Sequence, residues 1–279
     1  MLKQRQGWLS AAPAIIVFAV LFVAPLSMFF VVSFWQVKLF ALVPTFTFAN
    51  YAKTFQEYSG SLLFTLVIGL TVGFVTTALA FGFAYVIRFR AGKLGPLLLF
   101  MALFTLFGGY LVKIYAWKTI LGREGILNTA LMWVGVIDEP LTMLLYSPFA
   151  VIITLVHYLL PLAILPIYGS LIDVDDHALE AARDLGAKRG RVMLGIVLPQ
   201  ARFGVIAAFA MSFLVSAGDY VTPRLVGGTQ TSMLGNFIEG QFGLRMNAPL
   251  GSAMSFTMLV VCLAIIIGLW FLSRLTSPR

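Results

Sequence analysis

Charge is scarce in this sequence. Only 11% of its 279 residues are Asp, Glu, Lys or Arg, against about 25% in a soluble globular domain. With 60% hydrophobic residues and a mean hydropathy of +0.97, much of the surface is not made for water. Cysteine is nearly absent. Cys262 stands alone, which excludes an internal disulfide. One Cys and two His supply no thiolate zinc site, so no metal is expected. Catalytic signatures are lacking too: no G-x-S-x-G or H-E-x-x-H arrangement marks a hydrolase, and no catalytic residue is expected. There is no G-x-x-x-x-G-K-[ST] phosphate loop either. Gly92-Lys93 is followed by Leu94 and lacks the preceding glycines, so no ATP site is expected in this chain.

Long charge-free runs take the place of these features. They cover residues 6–37, 58–87, 94–112, 140–172, 203–218 and 246–273. A membrane-crossing helix needs about 17–25 mostly apolar residues. Five runs meet this alone, and 203–218 does so by extending to Thr222 and taking in Asp219. Lipid offers the backbone no hydrogen-bond partner, so each run is read as a helix. The expectation is an all-α integral membrane fold, a single domain over 1–279, with six transmembrane helices near 11–35, 61–88, 96–118, 147–170, 201–222 and 251–273. The first run is too long for a signal-peptide core of about 7–15 residues, and no A-x-A site follows it, so it is read as retained. The net charge of +8 sits in short loops between spans, which argues against nucleic acid as a partner.

Six spans put both termini on one side. With the N-terminus in the cytoplasm, twelve basic residues fall inside (Lys3, Arg5, Arg88, Arg90, Lys93, Arg183, Lys188, Arg189, Arg191, Arg202, Arg274 and Arg279) and seven outside, the expected bias. Gly69, Gly73, Ala80 and Ala84 lie at helical spacing on the second span and favour close helix packing. Pro161 and Pro166 in the fourth span are expected to kink or break it. Such a break can line a substrate path, but proline kinks are also ordinary in membrane helices. Ile126–Ile137 is too short to cross and reads as interfacial or re-entrant.

The loop 171–200 is the longest segment between spans on the cytoplasmic side. Asp175 and Asp176 suit a helix N-cap, and Gly186 suits a left-handed C-terminal cap. Between them, Ala178, Ala181, Ala182 and Leu185 share one face at i, i+3, i+4 and i+7. Alanine gives little apolar area but lets another surface come close. A helix lying on the membrane would carry larger apolar residues, so docking to a partner is the favoured reading.

The spacing within this loop is distinctive. Glu180-Ala181-Ala182, three residues, Gly186, nine residues, Ile196, one residue, then Leu198-Pro199 resembles the EAA motif. That motif marks permease subunits of binding-protein-dependent ATP-binding-cassette importers. Tyr115-Ala116-Trp117, Leu121–Gly125, Glu180–Ala187 and Asp219–Gly228 resemble the spermidine/putrescine branch, which also carries opines, phosphonates and ferric iron. The resemblance implies a type I importer permease in the bacterial inner membrane. Its partners would be an ATPase dimer that binds ATP and Mg, a second and different permease subunit, and a periplasmic binding protein. Glu180, Ala181, Ala182, Arg183, Asp184, Gly186 and Lys188 would couple the pore to the ATPase. No cofactor is expected in this chain.

A substrate path is less sharply marked. An ionisable residue within a span is a functional candidate. Asp219, Tyr220, Trp117, Glu239 and His157 could offer carboxylates and aromatic faces to a cation. Lys113 in the third span is a further ionisable candidate of this kind. Asp219, His157 and Lys113 each have a plainer alternative: Asp219 bonding the turn at Thr222-Pro223, His157 satisfied in the core, and Lys113 snorkelling to the outer interface. Two other classes compete with the importer reading, an ion-gradient secondary carrier and a non-transport scaffold. The first would show repeats and carboxylates in broken helices, whereas here the carboxylates cluster in loops.

Overall fold

The computed structural model describes residues 12–39, 41–229 and 231–275. Lys3, Arg5, Arg279 and the first residue of the first expected span lie outside the described residues, as does the side chain of Arg274. Among the described residues, four helices are long and apolar enough to cross a membrane, and six spans result if each of two sharply bent helix pairs counts as one. The contacts divide the chain into two compact units, residues up to Gly60 with Phe237–Val261, and Ser61–Asn236 with Cys262 onward.

In the first unit, helix α1 (12–32) carries apolar side chains all round, almost all exposed. This suits a span in contact with lipid. Pro25 cannot donate to the helix ladder. The turn before it widens to a π-turn over Ala19–Val23, in which Ala24 N–H donates to Ala19 O. After α1 comes a two-stranded antiparallel hairpin, β1 (Gln36–Lys38) and β2 (Ala41–Val43), a small departure from the expected all-α fold. Asn50 Nδ2 donates to Ser33 O at 2.9 Å and Trp35 O at 2.8 Å, tying this turn to the start of helix α2 (Ala49–Phe89).

Helix α2 has 41 residues, or about 60 Å at 1.5 Å per residue. The hydrocarbon core is about 30 Å thick, so α2 runs well past the expected 61–88 span. Its residues from 61 on belong to the second unit. There Gly69 and Gly73 leave room for the rings of Phe213 and Phe209. A Cβ at Gly73 would lie 2.9 Å from the Phe209 ring and one at Gly69 3.2 Å from that of Phe213. Ala80 and Ala84 are fully buried.

The third expected span, 96–118, is not one helix. Helix α3 (Gly95–Phe104, extended by a tight turn to Phe107) and helix α4 (Tyr110–Leu121) meet at Gly108-Gly109, where the backbone is extended. The segments Gly92–Phe107 and Tyr110–Trp133 make an angle of 94°. Adjacent glycines carry little cost for leaving the helical region, which is why the break falls there. Helix α5 (Ile126–Trp133) follows. Buried Asn128 holds it down, donating to Gly122 O and Leu141 O and accepting from Leu141 N–H.

The fourth expected span departs from the sequence reading in the other direction. Helix α6 (Pro148–Ile172) runs unbroken through Pro161 and Pro166. The reason lies in its packing. Helix α9 (Arg202–Ala217) crosses α6 so closely that a Cβ at Gly204 would run into Pro166 O and the Ser170 side chain. Close neighbours of this kind let membrane helices keep interior prolines. The fifth expected span, 201–222, also needs correction. α9 stops at Ala217, and the preceding helix α8 (Arg189–Gln200) meets it at 71°. Helices α10 (Leu234–Phe242) and α11 (Ala248–Leu275) complete the chain, with α7 (Asp176–Asp184) between α6 and α8.

Candidate coupling helix and translocation path

Helix α7 is built by local chemistry at both ends. Asp175 Oδ1 accepts from His177 N–H at 2.9 Å, satisfying one of the donors that a helix start leaves open. Asp176 in the first turn and Arg183 in the last complement the helix dipole. At the far end Gly186 has φ +75°. Its N–H donates to Arg183 O, and Ala187 N–H donates to Ala182 O, both at 2.9 Å. These two bonds form the Schellman cap, for which glycine is the favoured residue.

Within the second unit, polar and apolar contacts hold α7 in place. Arg88 Nη2 donates to Asp176 Oδ2 at 2.8 Å. Asp175 N–H donates to Gln200 Oε1 at 3.2 Å. Leu179 is 4% exposed and packs in the cluster of Ile167, Leu171 and Val174. Burying a leucine of this kind is worth about 1.5–3 kcal/mol.

The face expected from the wheel is divided by this packing. Leu179 turns inward and takes Ala182 with it, while Ala178 is half-buried. Glu180, Ala181, Arg183, Asp184 and Gly186 stay exposed, as does Lys188, which starts α8. Leu185 is 88% exposed. The outward surface is therefore Ala181 and Leu185 with a charged rim, rather than all three alanines. Pro199, the last residue of the motif, sits in α8 behind a π-turn at Met193–Val197, where Leu198 N–H donates to Met193 O.

Of the expected path residues, Trp117 and His157 come together: Trp117 Nε1 donates to His157 Nδ1 at 3.0 Å. Asp219 serves the turn. Its carboxylate accepts from Val221 N–H at 3.0 Å and Thr222 N–H at 3.2 Å. Tyr220 is half-exposed, and its carbonyl accepts from Asn236 Nδ2 at 2.7 Å. Glu239 lies half-buried on α10 in the first unit.

The structure adds Tyr110, Thr222 and Tyr158, which the sequence reading did not offer for the path, and relocates Lys113. Tyr110 OH and Thr222 Oγ1 are 2.7 Å apart beside Asp219. The ring of Tyr110 lies 4.6 Å from that of Tyr158. Lys113 Nζ stands 5.6 Å from the Tyr158 ring centroid. Lys113 does not snorkel outward. It is 6% exposed, and its ammonium has no hydrogen-bond partner among the described residues. Asp219, Thr222, Tyr110, Tyr158 and Lys113 thus form a polar and aromatic column inside apolar helices. One signal was available: Tyr110, Lys113 and Trp117 recur at i, i+3 and i+7 on α4, a single helix face.

Residues 94–279 match the family model for the binding-protein-dependent transport system inner membrane component. The chain belongs to this family. It is a permease subunit of an ATP-binding-cassette importer, a multi-pass inner-membrane protein that works with a periplasmic binding protein. The permease is 34% identical over 235 residues to the spermidine/putrescine transport system permease protein PotB of Escherichia coli (strain K12), covering 84% of this chain and 85% of that one. It is 28% identical over 249 residues to the inner membrane ABC transporter permease protein YdcU of the same organism, covering 84% and 78%. Its fold is like that of a solved bacterial ABC transporter involved in the import of the acidic polysaccharide alginate, with TM-score 0.74, 16% identity and 98% of each chain covered. These relatives are permease components rather than enzymes. The secondary-carrier and scaffold alternatives fall away with the family assignment.

Proposed function

We propose that this permease imports a polyamine or a related cationic amino compound, and that α7 is its handle for an ATPase dimer. Similarity to PotB supports the substrate class. The coupling role rests on one observation: a short helix with exposed Ala181 and Leu185, capped at both ends and anchored to α2 by the Arg88–Asp176 pair. A force on such a helix reaches the spans instead of being lost in loop motion. Both termini and α7 lie in the cytoplasm on this reading. ATP and Mg bind to the partner ATPase, not to this chain. A second, different permease completes the pore, and the whole chain acts as one transmembrane domain. Substrate passes from the binding protein by way of the half-exposed Tyr220 and the Asp219 turn, with Trp117, His157 and Glu239 as further path residues.

The test is reconstitution. The chain is inserted in vesicles with its second permease and ATPase, and labelled spermidine is presented with the purified binding protein. The expected result is uptake that needs ATP inside and is competed by putrescine. Uptake driven by an ion gradient without ATP would overturn the coupling role. ATP-driven uptake of a phosphonate or ferric complex, with spermidine ignored, would overturn the substrate class alone.

A further inference from the structure

Lys113 and Tyr158 meet inside the second unit. The ammonium of Lys113 stands 5.6 Å from the centre of the Tyr158 ring, within the range of a cation–π contact. Its nitrogen is closed off from solvent and has no hydrogen-bond partner among the described residues. The polar groups around it bring no negative charge. Trp117 N–H donates to His157 Nδ1 at 3.0 Å, which leaves that imidazole neutral with its proton on Nε2. The Asp219 carboxylate is taken up by the N–H groups of Val221 and Thr222. Among the described residues, the ring face is what receives this charge.

Stability does not account for this placement. A buried charge without a counter-charge costs a fold more than it returns, and a lysine arm ordinarily carries its head to water. Here the arm folds back along α4 toward the helix break. A Cβ at Gly108 would lie 3.8 Å from Lys113 Cε and 3.4 Å from Thr105 O. Rotation of the last bonds of the arm therefore brings the ammonium to the extended end of α3. Carbonyls at a helix C-terminus attract cations. One ammonium thus has two seats, the Tyr158 face that it occupies and the carbonyl end of α3.

We propose that Lys113 is a tethered stand-in for the amine of the substrate. Its ammonium covers Tyr158 while the path is empty, and yields that face for the end of α3 when a substrate ammonium arrives. This rests on the cationic substrate and the path proposed above. Tyr110 connects the seat to the Asp219 turn: its ring lies 4.6 Å from that of Tyr158 and its hydroxyl 2.7 Å from Thr222 Oγ1. An amine that leaves the turn meets the Tyr158 face next. The ring then carries one positive charge in both states, and Lys113 sets the condition for entry. A guest must present an organic cation that competes for an aromatic face.

Equilibrium dialysis of the purified full chain against labelled spermidine reads the seat. The parent should hold spermidine weakly. Lys113→Met vacates the ring and should hold it about thirtyfold more tightly, the factor of a desolvated cation–ring contact. Lys113→Arg refills the seat and should stay near the parent. In the Lys113→Met background, Tyr158→Phe should keep most of the gain and Tyr158→Leu should lose it, with melting of each chain checked alongside. Lys113→Met binding no better than the parent overturns the proposal. So does a gain that survives Tyr158→Leu, because Lys113 would then only repel cations. Should the leucine variant fail to fold, Lys113→Arg decides: a gain equal to that of Lys113→Met overturns the proposal. Tetramethylammonium, dialysed in the same way, separates this inference from the substrate class. If Lys113→Met gains for tetramethylammonium but not for spermidine, the seat stands and the polyamine reading falls. No gain for either cation, in an importer that carries spermidine, overturns the seat alone.

Discussion

Arg88 and Asp176 join the last turn of α2 to the first turn of α7 through a hydrogen-bonded ion pair of 2.8 Å. The two residues are 88 positions apart, and the pair makes the longest helix of the permease continuous with α7. Asp176 keeps 60% of its side chain exposed, so the pair's worth in stability is small, about 0–1 kcal/mol. Its value is positional.

Arg88→Ala should therefore leave the melting midpoint of the purified permease almost unchanged while lowering the solute carried per ATP hydrolysed. The reversed pair, Arg88→Asp with Asp176→Arg, should recover part of the loss. Uptake and phosphate release measured in the same vesicles decide this. A reversed pair no better than either single change would show that the ion pair is not the link.

Leu185 is the large apolar side chain that α7 offers outward. Leu185→Glu should alter stability by less than about 0.5 kcal/mol, as for most surface changes, yet weaken recovery of the chain with a tagged ATPase subunit. Ala182→Arg is a less clean probe, because Ala182 packs against the interior. Undiminished co-purification of the Leu185→Glu chain would remove Leu185 from the docking surface.

Gly186 is held at φ +75° with open space around its Cα. A side chain there meets backbone strain and nothing else. Gly186→Val should cost about 1–2 kcal/mol, and Gly186→Asn less. Hydrogen exchange over 176–187 should quicken in that order. Equal protection in all three chains would mean that the Schellman cap does not stabilise α7.

Gly204 and Gly82 make a matched pair. A Cβ on Gly204 collides with Pro166 O and Ser170, whereas one on Gly82 meets nothing within 4 Å. Gly204→Ala should lower the thermal midpoint sharply. Gly82→Ala should hold or raise it, since alanine favours a helix interior by about 1 kcal/mol. Similar midpoints for the two variants would contradict the close crossing of α6 and α9.

Lys113 holds a buried ammonium without a hydrogen-bond partner among the described residues. An unpaired buried charge is costly, and replacing it by an apolar chain of similar length relieves that cost. Lys113→Met should raise the midpoint of the isolated permease. A lower midpoint would reveal that the ammonium is satisfied by a partner and that the column from Asp219 to Lys113 is held together by charge.

Much of the site was legible because its signals are short-ranged. The caps of α7 depend on Asp175 and Gly186 and on backbone groups within five residues of them, so the chain spells them out. The inward turn of Ala182 was not legible. A helical wheel ranks faces by apolarity, and Leu179 fell outside the alanine stripe that it in fact anchors. The break at Gly108-Gly109 was open to reading, since paired glycines favour it, but the charge-free run from 94 to 112 masked it: hydropathy measures what lipid tolerates, not where a helix ends.

Composition and local pattern, taken alone, determined that this protein lives in a membrane, crosses it as helices, and presents an EAA segment between spans. Each of these follows from residue chemistry against a uniform solvent or from neighbours in the chain. Tertiary structure alone decided that α6 would stay whole through two prolines and that Lys113 would be buried. Those outcomes depend on which surface arrives from a distant part of the chain. A proline carbonyl or an ammonium takes its role from that surface.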